Sequence, residues 1–157
     1  LREFATWIKD VKPEYEVEIE YINKALWVED GHITFYRTPH HFSSTLCPDK
    51  ANINGIVDEY DVECIDFSQW LTHHISPDDT VIVDIDIECA EYKILPKLIS
   101  DGTIELIDHL SVEFHGEGKC KNWFNEGSNN SNGDTLKKEL ANHVNLLDHD
   151  AIIATLN

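Results

Sequence analysis

Apolar residues recur three and four positions apart at Leu1, Phe4, Ala5, Ile8 and Val11, which predicts a helix that Pro13 stops. From Glu16 the period changes to two. Val17, Ile19 and Tyr21 alternate with Glu16, Glu18 and Glu20, predicting a strand that continues to Trp27. Glu29-Asp30-Gly31 is a turn signal, and Ile33, Phe35 and Tyr36 after it predict a second strand closing a hairpin with the first.

Thr38 to Asn54, rich in His, Ser, Pro and Asn, reads as a long loop. Val62 to Ile65 predicts a short strand, and Asp66 caps a helix whose apolar face is Phe67, Trp70 and Leu71, ending at His73-His74. Val81 to Ile87 is a β-branched run broken by Asp84 and Asp86, the pattern of a central strand near its polar end. Tyr92, Ile94, Leu95, Leu98 and Ile99 return to helical spacing, closed by Asp101-Gly102, and Ile107 to Phe114 predicts the next strand. Connections this short imply a parallel crossover. A flexible loop is expected over about 116–134, then a helix from Thr135 to His143. Val144 to Leu147 and Ala151 to Leu156 are expected to pair antiparallel at the sheet edge.

A chain of 157 residues with 41% hydrophobic side chains fits a single α/β domain over residues 1–157. Thirty acidic against twelve basic residues give a net charge of −18, which excludes a surface built for nucleic acid or anionic lipid. No apolar run approaches the roughly 20 residues of a membrane span. The four cysteines, Cys47, Cys64, Cys89 and Cys120, lack zinc-ligand spacing and are expected as free thiols in a reducing, cytoplasmic setting. The chain has no methionine and begins at Leu1, so it is read as N-terminally incomplete. Asn129-Asn130-Ser131 matches a glycosylation acceptor pattern.

Parallel α/β sheets place ligands at the carboxyl ends of their strands. Asp84, Asp86, Glu88 and Glu91 follow or end one predicted strand, and Glu113 and His115 end the next. Two chemistries suit such crowding. Asp86, Glu113 and His115 could hold a divalent cation, the imidazole favouring a transition metal. Alternatively, a carboxylate or His115 is a general base toward a substrate hydroxyl. Helix N-terminal placement would itself explain an acidic residue at Glu88 or Glu91. His40-His41 and Ser43-Ser44-Thr45 are lesser candidates for contacts to a polar ligand.

Asp86-Ile87-Glu88-Cys89-Ala90-Glu91-Tyr92, with Leu95 and then Val112-Glu113-Phe114-His115, resembles the FkbM family of S-adenosylmethionine-dependent methyltransferases. Asn23 to Trp27, Gly31 to Tyr36, Ser43 to Leu46 and Val62 to Leu71 are similar to further segments of that family, so the resemblance spans about residues 15–115. It departs at Cys89, where the family has glycine, and at Asp84, where a basic residue is common. The resemblance implies a Rossmann-like class I methyltransferase-type sheet and methyl transfer to a hydroxyl of a sugar or related small metabolite. It also places Ala25 and Leu26 near the adenine, and Asp86, Glu88, Glu91, Glu113 and His115 on the reaction side. The glycine-rich cofactor turn and the ribose-binding acid of such enzymes do not occur in this sequence and are expected upstream. The competing expectation is a non-enzymatic module that binds a divalent cation or a protein partner through the acidic cluster. Oligomeric state is not legible.

Overall fold

A computed structural model describes residues 18–116, 120 and 133–147. The predicted helix Leu1–Val11, the strand Ala151–Leu156, most of the 116–134 loop and the Asn129-Asn130-Ser131 pattern lie outside the described residues.

The chain is an α/β fold with two three-stranded sheets. The first contains β1 (Ala25–Trp27), β2 (Gly31–Arg37) and β3 (Asp58–Asp66) in the order β1-β3-β2. The second contains β4 (Ile82–Ile85), β5 (His109–Val112) and β6 (Asn145–Leu147) in that order. Four helices accompany them among the described residues: α1 (Pro48–Asn54), α2 (Phe67–His74), α3 (Glu91–Asp101) and α4 (Gly133–Leu140).

The predicted hairpin of the first sheet is opened by an inserted strand. β3 runs parallel to β1 and antiparallel to β2, so that Ala25 and Gly31 both stand opposite Cys64. Strands one apart in the order are roughly 9.5 Å from each other, and the three residues Val28 to Asp30 reach that far when extended. Asp30 fastens the crossing, its Oδ1 accepting from the Asp66 backbone N–H at 3.0 Å. The alternation from residue 18 predicts a strand throughout, but the ladder is confined to Ala25–Trp27.

The second sheet holds the core. Asp66 caps α2 by accepting from the Gln69 backbone N–H at 3.1 Å, which turns Phe67 and Leu71 inward. α3 buries Tyr92, Ile94, Leu95 and Leu98, runs through Pro96, and stops at Gly102, whose φ of 74° is the left-handed conformation that glycine adopts without strain. Phe67, Leu71, Ile94, Leu95 and Leu98 form one cluster with Ile85 and Leu110, each aliphatic contributing about 1.5–3 kcal/mol by its burial, while Tyr92 packs with Cys47, Cys89 and Cys120. The predicted parallel crossover from β4 through α3 to β5 is present. β6 joins β5 in parallel at the edge of the described sheet, and its expected antiparallel partner, Ala151–Leu156, lies outside the described residues.

Two further expectations are corrected. The long loop from Thr38 to Asn54 contains a 3-10 turn at His41–Ser43 and the helix α1, begun by Pro48 at its first position. Cys89 and Cys120 form a disulfide with Cα atoms 5.9 Å apart, where free thiols were expected. The two are 31 residues apart in sequence, so only the folded chain brings them together. A disulfide is the form that an oxidising environment maintains. Cys47 and Cys64 are buried and outside any disulfide.

Candidate active site at the strand ends

β4 and β5 end together, Ile85 opposite Val112, and the Glu113 backbone N–H continues the ladder by donating to the Ile85 carbonyl at 2.9 Å. The segments leaving these two ends therefore start side by side. Asp86 to Glu88 leave one end, and Glu113 and His115 leave the other. Tyr92, from the first turn of α3, donates its hydroxyl to the His115 carbonyl at 2.6 Å and fixes the second segment.

His115 is the centre of the group. Its Nδ1 is 3.0 Å from Glu91 Oε1. Its Nε2 is 3.3 Å from Glu88 Oε2, 3.7 Å from Asp86 Oδ1 and 3.8 Å from Glu113 Oε1. Four of the five carboxylates expected in the crevice thus lie within ion-pair distance of one imidazole, with Asp84 outside this set. Glu91 Oε1 also accepts from the His115 backbone N–H at 2.9 Å. That oxygen is therefore an acceptor, Nδ1 is the ring nitrogen placed to donate to it, and Nε2 is the one that faces the other carboxylates.

Glu91 is not a surface residue at a helix start, as helix N-terminal chemistry alone would make it. It is 0% exposed, and its second oxygen is buried without a hydrogen-bond partner. Asp86 and Glu113 are the open members, each about half exposed. The ligand atoms of Asp86, Glu88 and His115 lie within 4.8 Å of one another, so Glu88 rather than Glu113 completes the tightest potential cation set.

The turn that delivers Glu88 is unusual. Glu88 and Cys89 have φ of 53° and 88°, the only non-glycine residues with positive φ among those described. At Cys89 the backbone holds a left-handed conformation suited to glycine while carrying a side chain, at a cost of about 1–2 kcal/mol. Three contacts hold it there: the disulfide to Cys120, an ion pair from Lys50 to Glu88, and a hydrogen bond from the Thr45 hydroxyl to the Glu88 carbonyl. Lys50 is 2% exposed on α1, so the acidic cluster includes its own internal ammonium. Beside the turn, burial pushes the Cys47 thiol up from its ordinary value.

A cavity of about 440 Å³ opens next to this turn, within the size range of small-ligand sites. Ala25, Leu26 and Phe35 give it an apolar wall from the first sheet; Ser44, Thr45, Asp86 and Glu88 give it a polar wall. Ala25 and Leu26, expected near an adenine, thus line the same space as Asp86 and Glu88, two of the carboxylates expected on the reaction side. Sequence reading missed Lys50 and the inward placement of Thr45, which is 1% exposed. The signal for α1 was present as Pro48-Asp49 after Cys47, a helix start hidden among loop-forming residues.

No protein-family model matches the chain, and no curated protein and no solved structure matches it.

Proposed function

We propose that the chain belongs to an S-adenosylmethionine-dependent methyltransferase of Rossmann-like fold that methylates a hydroxyl of a sugar or related small metabolite. The observation that carries this reading is the shared cavity, with Ala25 and Leu26 on one side and Asp86 and Glu88 on the other. Its size and its division into an apolar and a carboxylate wall fit a nucleoside whose base is apolar on its faces and whose remainder is polar and cationic. When bound, S-adenosylmethionine supplies an electrophilic methyl group.

The chain's own contribution is a base and its support. Glu91 holds the His115 ring by Nδ1 and leaves Nε2 to accept a hydroxyl proton, with Asp86, Glu88 and Glu113 around the charge that the proton brings. Lys50 offsets part of the acidic excess, keeping Glu88 in place before any ligand arrives.

The Asp86, Glu88 and His115 atoms favour a second reading, a divalent-cation module. The two make opposite demands on Nε2, which cannot hold a metal and accept a proton at once. Titration calorimetry of the protein from its complete reading frame separates them. Saturable heat with S-adenosylmethionine, reduced in Leu26→Asp, supports the methyltransferase. No heat with the cofactor, together with Mn²⁺ binding that Asp86→Asn and His115→Gln abolish, supports the cation module instead.

A further inference from the structure

The carboxylate cluster is assembled from two segments, and a covalent bond joins them. Asp86, Glu88 and Glu91 follow β4 with Cys89 among them, while Glu113 and His115 follow β5 with Cys120 beyond. Both cysteines are 0% exposed and pack with Tyr92, the residue whose hydroxyl holds the His115 carbonyl.

Past the last ladder contact, from the Glu113 N–H to the Ile85 carbonyl, the hydrogen bonds that hold His115 come from the first turn of α3. Glu91 Oε1 accepts from its backbone N–H at 2.9 Å, and Tyr92 donates to its carbonyl at 2.6 Å. That turn has no side-chain cap, because Ala90 stands at the cap position and offers no oxygen to the first backbone N–H groups. The residue before it carries the covalent bond instead. Cys89 holds a φ of 88°, in a region disfavoured roughly five- to thirtyfold for a residue with a side chain. The Lys50 and Thr45 contacts act on Glu88, whereas the restraint on the Cys89 side chain is its bond to Cys120.

We infer that the Cys89–Cys120 bond is a redox switch on the site. Oxidised, it holds Cys89 left-handed and seats Glu91 and Tyr92 on His115. Reduced, Cys89 returns toward the right-handed region, the start of α3 turns away, and the contacts to His115 open. Closing the switch takes two cysteine thiols and a disulfide oxidant. The thiolate of one cysteine attacks the oxidant and expels a thiol, the second cysteine attacks the mixed disulfide and expels another, and the two cysteine protons end on the two thiols released. A dithiol reductant opens the switch by the reverse exchange, its own two thiols becoming a disulfide. Cys47, packed in the same cluster, competes poorly for either sulfur because burial pushes its thiol up. The site is therefore complete in an oxidising compartment and open in a reducing one.

This inference concerns geometry that both readings of the site share, so its test needs no ligand. Amide exchange is followed by NMR on the protein from its complete reading frame, oxidised in glutathione disulfide or reduced in dithiothreitol, with the state of the bond checked by thiol alkylation and mass. The reporter is the His115 N–H, and the control is the Leu110 N–H in the buried ladder. Reduction is expected to speed exchange at His115 about five- to thirtyfold, the factor that Cys89 regains on leaving the left-handed region, and at Leu110 less than about twofold. Cys89→Ala combined with Cys120→Ser should exchange as the reduced protein does in either buffer. Cys89→Gly combined with Cys120→Ser should keep His115 protected within a few-fold of the oxidised parent, because glycine takes this φ without strain. Unchanged exchange at His115 after full reduction, equal acceleration at Leu110, a glycine variant as open as the alanine one, or thiols that persist at both cysteines in glutathione disulfide would each overturn the switch.

Discussion

The two sheets differ in how they are held. In the parallel sheet, β5 has three of its four residues buried, flanked by strands on both sides and covered by the α3 core. In the mixed sheet, the central strand β3 is exposed over its first four residues and is buried only toward Cys64 and Asp66, where it meets β1. One sheet is a packed core. The other is a wall anchored at one end, and that end is where Ala25 and Leu26 face the cavity. A site made between them draws its carboxylates from the strand ends of the parallel sheet and its apolar lining from the mixed sheet.

The sharpest challenge to this contrast is a pair of truncations read by urea unfolding. Leu110→Ala, at a fully buried position, is expected to cost about 2–5 kcal/mol, while Ile33→Ala, partly buried on β2, should cost well under half as much. Equal losses would show one shared core and remove the distinction.

The disulfide sharpens the same contrast at the site. Cys120→Ser is expected to cost about 3–4 kcal/mol, from the loop closed by two cysteines 31 residues apart. Adding Cys89→Gly should return about 1 kcal/mol, because glycine accepts a φ of 88° without strain. Adding Cys89→Ala should return nothing, and a tie between the two would show that the turn is unstrained.

Smaller effects are expected where α2 joins β3. Asp66→Ala removes the cap on Gln69 and a 3.4 Å ion pair with Lys97, for about 1–2 kcal/mol in the same unfolding assay. The smallest concerns Asp101, which the Lys97 ammonium and then the Ser68 hydroxyl hold below its ordinary value of 3.8. A depressed carboxylate contributes its stability above the ordinary value and loses it as pH falls through the folded value. Asp101→Asn is therefore expected to be less stable than the parent by under about 1 kcal/mol at neutral pH, the gap closing below about pH 4 in thermal melts. A gap that widens in acid would reverse the assignment.

What the sequence made legible follows the range of the interactions. The Asp66 cap, the Gly102 stop and the β-branched run of β4 are local signals, and each predicted its element to within a few residues. The grouping of Asp86, Glu88, Glu91, Glu113 and His115 was also legible, because parallel strands of similar length bring their ends together. Distant partners were hidden. Nothing near Glu29-Asp30-Gly31 shows that β3 will enter between β1 and β2, since that depends on Asp66 finding Asp30. Lys50 resembles any loop lysine until α1 buries it against Glu88, and Cys120 resembles any thiol until the folded chain sets it beside Cys89.

That last bond also changes what a protease can do. A single cut anywhere between the two cysteines leaves the two fragments covalently joined. On a denaturing gel such a nicked protein would run as one molecule until a reductant is added, and as two pieces afterwards, so damage in this stretch is concealed wherever the bond is kept oxidised.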